Sequence, residues 1–198
     1  MLLDKILDSK NKLKVIRELC LHENWEYSMD ELSKNTSVHR VLLSKMIPKL
    51  ADFNVVKIKT KGKSKLISIN KDNFFVRKTL IDLFKKEKDL PILIAQNFVK
   101  KLKLDSNIIS IIIYGSAAKQ TFTFKSDIDL MIASKHEIKN RQQIEKIINQ
   151  FGENGIMIVC DYITLDELKR LYKEKEAAIL TLVEDHRVIY GKKLLEII

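Results

Sequence analysis

Apolar residues recur along this chain with two different periods, and the switches between them lay out its elements. Leu2, Leu3, Ile6 and Leu7, then Leu13, Val15, Ile16, Leu19 and Cys20, keep helical spacing on either side of the polar Asp8-Ser-Lys-Asn11. That predicts one short helix and a second, amphipathic one. Ser28-Met-Asp-Glu31 has the form of a capping box and predicts a helix through Leu32, with a turn at Asn35-Thr36-Ser37. Another helix is expected from Val38 through Val41, Leu42, Met46 and Leu50, its last turn bent or tightened by Pro48. At Val55 the period changes to two. Val55 to Asn70 makes two alternating runs about Lys61-Gly62-Lys63-Ser64, the pattern of a β-hairpin. Trp25 lies outside that hairpin and is read as a core residue.

From Asp72 to about Lys88, Phe74, Phe75, Leu80, Ile81, Leu83 and Phe84 return to helical spacing and predict a connector helix with an apolar packing face. Asp89-Leu90-Pro91 reads as a second helix start, proline being favoured at the first helical position, with the helix running from Ile92 to Leu102. Ile108 to Tyr114 is too short and too β-branched for a free-standing helix, so it predicts a buried strand ending at Gly115. A short helix opens at Ser116. A second strand holds Asp127 to Ile132, a helix runs from His136 to about Phe151, and Gly152-Glu-Asn-Gly155 is a turn. Ile156 to Ile163 is the third strand. Leu165 to Val183 is helical, in one or two pieces, and His186 to Gly191 is a short strand before a last helix.

The chemistry concentrates around residues 111–132. Gly115 lets the backbone turn sharply, and the helix start at Ser116 offers unpaired N–H groups and a partial positive charge to a phosphate. Alternation puts Asp127, Asp129 and Met131 on one face and Ile128, Leu130 and Ile132 on the other. Two carboxylates sharing a face repel unless a cation sits between them, and hard oxygen ligands in fixed geometry suit Mg²⁺ held jointly with substrate phosphates. Asp161 lies within the third apolar run, whereas Asp166 follows Thr164 in a Thr-Leu-Asp-Glu sequence suited to a helix cap and first turn. The third carboxylate of the site is therefore expected from Asp161.

Gly115-Ser116, nine intervening residues and then Ser126-Asp-Ile-Asp-Leu-Met-Ile132 resemble the nucleotidyltransferase superfamily that includes DNA polymerase β, above all its minimal bacterial and archaeal members. The resemblance runs from about Pro91 to the C-terminus. Asp161-Tyr-Ile-Thr-Leu-Asp-Glu-Leu168 and the Tyr190-Gly191 close are part of it. Where those proteins usually carry Arg-Gly or Lys-Gly, this chain has Lys119-Gln120. The resemblance implies two Mg²⁺ ions on Asp127, Asp129 and Asp161, with the β- and γ-phosphates of a nucleoside triphosphate, ATP by expectation, on Gly115 and Ser116. Lys119 and Ser126 complete the expected nucleotide site. The implied reaction moves AMP to an acceptor that the sequence does not name: a protein side chain, an RNA end or a small molecule. Some minimal nucleotidyltransferases transfer AMP to a HEPN-class toxin, and the resemblance implies such a toxin as one candidate partner.

Helices followed by a basic hairpin resemble the winged helix-turn-helix domain. By analogy His39, Arg40, Ser44 and Lys45 would enter the major groove of duplex DNA, while Lys59, Lys61, Lys63 and Lys65 on the wing would touch phosphates. Such domains commonly pair, so the connector helix is also a candidate homodimer surface. The same lysines equally suit protection of an edge strand, and no aromatic residue lies among them to stack on single strands. The expected organisation is α+β: a winged helix-turn-helix domain over residues 1–71, a connector helix over 72–90 and a nucleotidyltransferase domain over 91–198 with a mixed β-sheet flanked by helices.

Bulk properties agree with polyanionic partners. The chain has 198 residues, with 36 Lys and Arg against 26 Asp and Glu, for a net charge of +10. Two distant cysteines and four histidines form neither a disulfide framework nor a zinc signature. A reducing cytoplasm is the expected compartment, and no apolar run reaches the length of a membrane span. No Ser-His-Asp or Cys-His arrangement and no Gly-x-x-x-x-Gly-Lys-Ser/Thr loop competes with the nucleotidyltransferase reading. The alternative function is a non-catalytic DNA-binding regulator whose second domain senses nucleotide or binds a partner protein.

Overall fold

Helices in the first half of the computed structural model begin where the sequence supplies an acceptor for their free N–H groups. The structure describes every residue except 1, 63, 105, 120–125 and 140, together with the side chain of Leu2. The chain divides into two units, Met1–Lys88 and Asp89–Ile198. After α1 (Leu2–Ile6), Ser9 caps α2 (Lys10–Leu21) by accepting the Lys12 N–H at 3.2 Å. Ser28 and Glu31 form the expected reciprocal capping box on α3 (Met29–Thr36), and His39 Nδ1 accepts the Val41 N–H at the start of α4 (Arg40–Asp52).

A hairpin of β2 (Val56–Lys61) and β3 (Ser64–Ile69) follows, its turn made at Gly62 in the left-handed region. A strand that the pattern did not predict, β1 (Tyr27–Ser28), adds to β3, so the sheet order is β1-β3-β2. Two residues are too few to show a period. Val15, Ile16, Leu19, Leu32, Leu43, Ile47, Leu50, Ile67 and Ile69 close the core. Trp25, expected inside, is 58% exposed, because its neighbour Tyr27 takes the buried position and meets it edge to face.

The helix expected to restart at Asp89-Leu90-Pro91 does not restart. A π-helical turn at Val76–Leu80 continues into α5 (Ile81–Lys101), which carries Pro91 inside. Proline in a helix interior removes one hydrogen bond and costs about 3 kcal/mol. Burial on either side offsets it, at roughly 1.5–3 kcal/mol for each large apolar side chain. Val76, Leu80, Ile81 and Phe84 belong to the first unit's core, and Ala95, Phe98 and Val99 belong to the second's. Phe74, counted in the packing stripe by its spacing, is exposed instead.

The second unit is built on a mixed sheet of order β6-β5-β4-β7, comprising β4 (Ile108–Tyr114), β5 (Ile128–Ser134), β6 (Ile158–Thr164) and β7 (Arg187–Gly191). β5 and β6 are parallel, while β4 pairs antiparallel with both β5 and β7. One face of the sheet, with Ile111, Ile113, Leu130 and Ile132, packs on α5 and on α7 (Arg141–Glu153). The other, with Ile112, Met131 and Ile163, packs on α8 (Leu165–Lys173), α9 (Ala177–Glu184) and the C-terminal residues. The fold is α+β with helices flanking the sheet.

Two boundaries differ from expectation. The helix predicted from His136 begins at Arg141, because the Asn107 side chain accepts the His136 N–H at 2.9 Å and donates to its carbonyl at 3.1 Å. Those backbone groups are then taken. The last helix is a single 3₁₀ turn, Leu194–Glu196. At Gly191 a side chain would overlap the Ile109 carbonyl oxygen, so only glycine permits β7 to approach β4 this closely.

Candidate active site

β4 ends at Tyr114, and the chain turns at Gly115 with φ +67° into α6 (Gly115–Ala118). The turn requires glycine twice over. A left-handed backbone disfavours any Cβ, and a Cβ here would run into the Asp129 carboxylate. Strand register then sets what shares a face. Tyr114 is opposite Asp129 and Ile112 opposite Met131 across β4 and β5, while Asp129 partners Val159 and Met131 partners Asp161 across β5 and β6. Paired residues point the same way, so Tyr114, Asp129 and Asp161 stand on the face that α9 covers further along. Asp127 immediately precedes β5 and is exposed; Asp129 is half-buried.

Electrostatics at this end of the sheet are those of like charges held together. Burial, followed by the charges of Asp127 and Asp161, raises the Asp129 pKa above the usual carboxylate range. Burial and the Asp161 charge likewise push the Cys160 thiol up to about 12, which leaves it an inert thiol at neutral pH. The Tyr114 hydroxyl donates to the Asp161 carboxylate, and Tyr114 titrates higher than usual, from burial first and that bond second. Asp166 stands apart from this group. It lies in the first turn of α8, whose N-cap Thr164 accepts the Glu167 N–H at 3.3 Å.

Beside the carboxylates a cavity of about 230 Å³ is lined by Tyr114, Gly115, Lys119 and Asp161 from the sheet end and by Ile179 and Leu182 of α9. Lys119 caps α6 and forms an ion pair at 3.3 Å with Asp185, just past α9. Ser116 lies in α6 and Ser126 directly before Asp127, both half-buried. The intervening residues 120–125 lie outside the described residues. Hard oxygen donors on adjoining strands fit Mg²⁺, which takes one or two carboxylates and completes its shell with water and substrate phosphates. Among the described residues no three His, Cys, Asp or Glu side chains are gathered closely enough to hold a metal ion together.

Sequence reasoning gave no role to Tyr114, Asp185 or the α9 wall. Tyr114 sits in plain view before Gly115, but its relation to Asp129 and Asp161 depends on the registers of three strands. Periodicity does not carry that information.

The residues expected to meet DNA are placed less uniformly. His39 serves as the α4 N-cap, Arg40 is paired with Asp30 at 2.7 Å, and the Ser44 hydroxyl donates to the Val41 carbonyl. Lys45 is exposed. Val41 and Leu42, counted among the apolar positions of the same helix, are instead 54% and 45% exposed. On the hairpin Lys59 lies 3.5 Å from Glu26, and Lys61 is exposed. Lys65 is exposed too, but it partners Thr60, which puts it on the opposite face from Lys59 and Lys61. Lys63 lies outside the described residues.

Comparison with known proteins bears on the second unit. Residues 96–193 match the family described as polymerase beta, nucleotidyltransferase. Among solved structures, a complex of tri-AMPylated Shewanella oneidensis HEPN toxin with MNT antitoxin is similar over 55% of this chain and 76% of that one. The identity is 10% and the TM-score 0.33. TrmBL2, an archaeal chromatin protein described with a novel mode of DNA binding, is similar over 89% of this chain and 74% of that one, at 13% identity and a TM-score of 0.28. No curated protein sequence matches the chain. The stretch that matches the polymerase beta, nucleotidyltransferase family, residues 96–193, contains Gly115, Asp127, Asp129 and Asp161.

Proposed function

We propose that this protein transfers a nucleoside monophosphate, AMP from ATP, to an acceptor hydroxyl at the acidic end of the second sheet. The observation that carries the reading is the half-buried Asp129, held between two other carboxylates and pressed against an obligatory glycine. An arrangement that raises a carboxylate's pKa by burial and like charge is poorly suited to stability and well suited to a cation with phosphates.

Asp127, Asp129 and Asp161 would hold two Mg²⁺ ions, which when bound supply positive charge at the α-phosphate and acidify the acceptor hydroxyl. The chain's own residues position the rest. The Gly115-Ser116 turn presents backbone N–H groups to the β- and γ-phosphates, and Ser126 flanks the same site. Lys119 leaves Asp185 to neutralise phosphate charge, and the apolar wall of Ile179 and Leu182 limits water beside the cavity. Asp161, nearest the cavity, orients the acceptor. The acceptor oxygen bonds to the α-phosphorus, the bond from that phosphorus to the bridging oxygen breaks, pyrophosphate leaves with the bridging oxygen and the acceptor's proton passes to solvent.

The first unit completes the reading as a winged helix-turn-helix domain that contacts duplex DNA through Lys45, Lys59 and Lys61. The acceptor is a macromolecular hydroxyl, with a HEPN-class toxin side chain as the leading candidate from the family resemblance. The test is incubation with Mg²⁺, α-labelled ATP and a cell extract that supplies acceptors. Covalent label that is lost with Asp127→Asn or Asp129→Asn supports transfer. Mg²⁺-dependent ATP binding with no covalent label would instead make the protein a nucleotide-sensing regulator.

A further inference from the structure

Tyr114 and Asp161 stand on strands that are not neighbours. β5 lies between β4 and β6, and adjacent strands are about 4.8 Å apart, so a bridge between their side chains spans roughly 10 Å. Among hydroxyl-bearing side chains only tyrosine reaches that far, and Tyr114 makes the bridge by donating to Asp161 Oδ2. Its ring packs against the cluster of Ile112, Met131, Ile179 and Leu182, so the hydroxyl is delivered from a fixed base.

Asp161 is exposed and faces Asp129, a like charge, across the sheet surface. Left to itself, such a side chain would turn toward water and away from its neighbour, since its rotamers are close in energy and repulsion favours separation. One hydroxyl bond opposes this. An ionised carboxylate has about four lone-pair sites on two oxygens, so engagement of Oδ2 leaves Oδ1 open to a cation.

We propose that Tyr114 is a positioning residue for the proposed reaction: its hydroxyl holds the Asp161 carboxylate over the site so that the other oxygen is presented to a divalent ion. The inference rests on the reading of Asp161 as an ion-holding carboxylate. Partners that orient a metal-binding carboxylate are commonly worth about 10–100-fold in metal affinity. Tyr114→Phe removes the hydroxyl and leaves the ring in place.

The experiment measures Mn²⁺ affinity by electron paramagnetic resonance, with a non-hydrolysable ATP analogue present, for the wild type, Tyr114→Phe, Asp161→Ala and the double variant. The expected result is Mn²⁺ binding weakened about 10-fold by Tyr114→Phe at an unchanged melting temperature, and no further weakening when Tyr114→Phe is added to Asp161→Ala. A merely structural role would weaken binding equally in both backgrounds. That outcome, or a Tyr114→Phe affinity equal to wild type, overturns the inference while leaving the proposed function standing. Absence of Mn²⁺ binding by the wild type would remove the proposed function and this inference together.

Discussion

In residues 1–88 several charged side chains sit beside opposite charges. Arg40 meets Asp30, Lys57 meets Asp72, Lys85 meets Glu23, and Arg17 forms a two-bond pair with Glu87 while lying over the Phe84 ring. At the end of the second sheet the arrangement reverses, with Asp127, Asp129 and Asp161 brought toward one another and Asp129 half-buried among them. Exposed pairs contribute roughly 0–1 kcal/mol each, and many surfaces carry them for solubility alone. Like charges drawn together oppose folding. A chain tolerates that conflict where the site has work to do, so the repelling cluster says more about function than the larger number of satisfied pairs.

The comparison breaks most visibly if an acidic residue proves dispensable. Asp127→Asn should lower nucleotide transfer by about 10²–10³-fold or more, the scale of losing one charge-stabilising group, with circular dichroism unchanged and melting no lower than wild type. Retained transfer would show that the cluster is ordinary surface. A smaller loss is expected from Gly115→Ala. The added methyl displaces the Asp129 carboxylate and strains the turn, and displacement of about 1 Å in a reacting group costs on the order of 10²-fold. Measured by steady-state transfer, the loss should appear in kcat more than in the KM for ATP.

The smallest expected effect concerns the first half. Lys61 is exposed, whereas Lys57 is held by Asp72. If the hairpin meets duplex DNA, Lys61→Gln should reduce the slope of log K against log salt by about 1, and Lys57→Gln should leave it nearly unchanged. Equal slopes for both variants, or no binding at low salt, would turn the exposed Val41 and Leu42 toward a protein partner.

Local signals were legible wherever a few residues settle the matter among themselves. Ser28 and Glu31 cap each other across one turn, and the β-branched run before Tyr114 admits little but a strand. Alternation alone separates Asp129 from Ile128 and Leu130. What escaped depended on distant parts of the chain. Pro91 reads as a helix start because its local preference is plain, while the burial that carries α5 through it comes from two separate cores. Arg40 and Asp30 sit on different helices, so no helical spacing announces their pairing. Tyr114 reaches Asp161 only through the registers of β4, β5 and β6, which separate stretches of the chain set together.

The central claim is that the carboxylates are placed for a cation and nucleotide at a cost to the empty protein. A carboxyl group whose pKa is raised by folding binds more protons in the folded state. Its presence therefore erodes stability as pH rises from its ordinary range through the raised value, and the full penalty stands at neutral pH. The most direct measurement is the melting temperature at pH 7.5 of wild type and Asp129→Asn, first with chelator and then with Mg²⁺ and ATP. The account predicts that Asp129→Asn melts about 1–3 °C higher with chelator, and that Mg²⁺ with ATP raises wild type but not the variant. A variant that melts lower than wild type with chelator, and gains as much from Mg²⁺ and ATP, would contradict it.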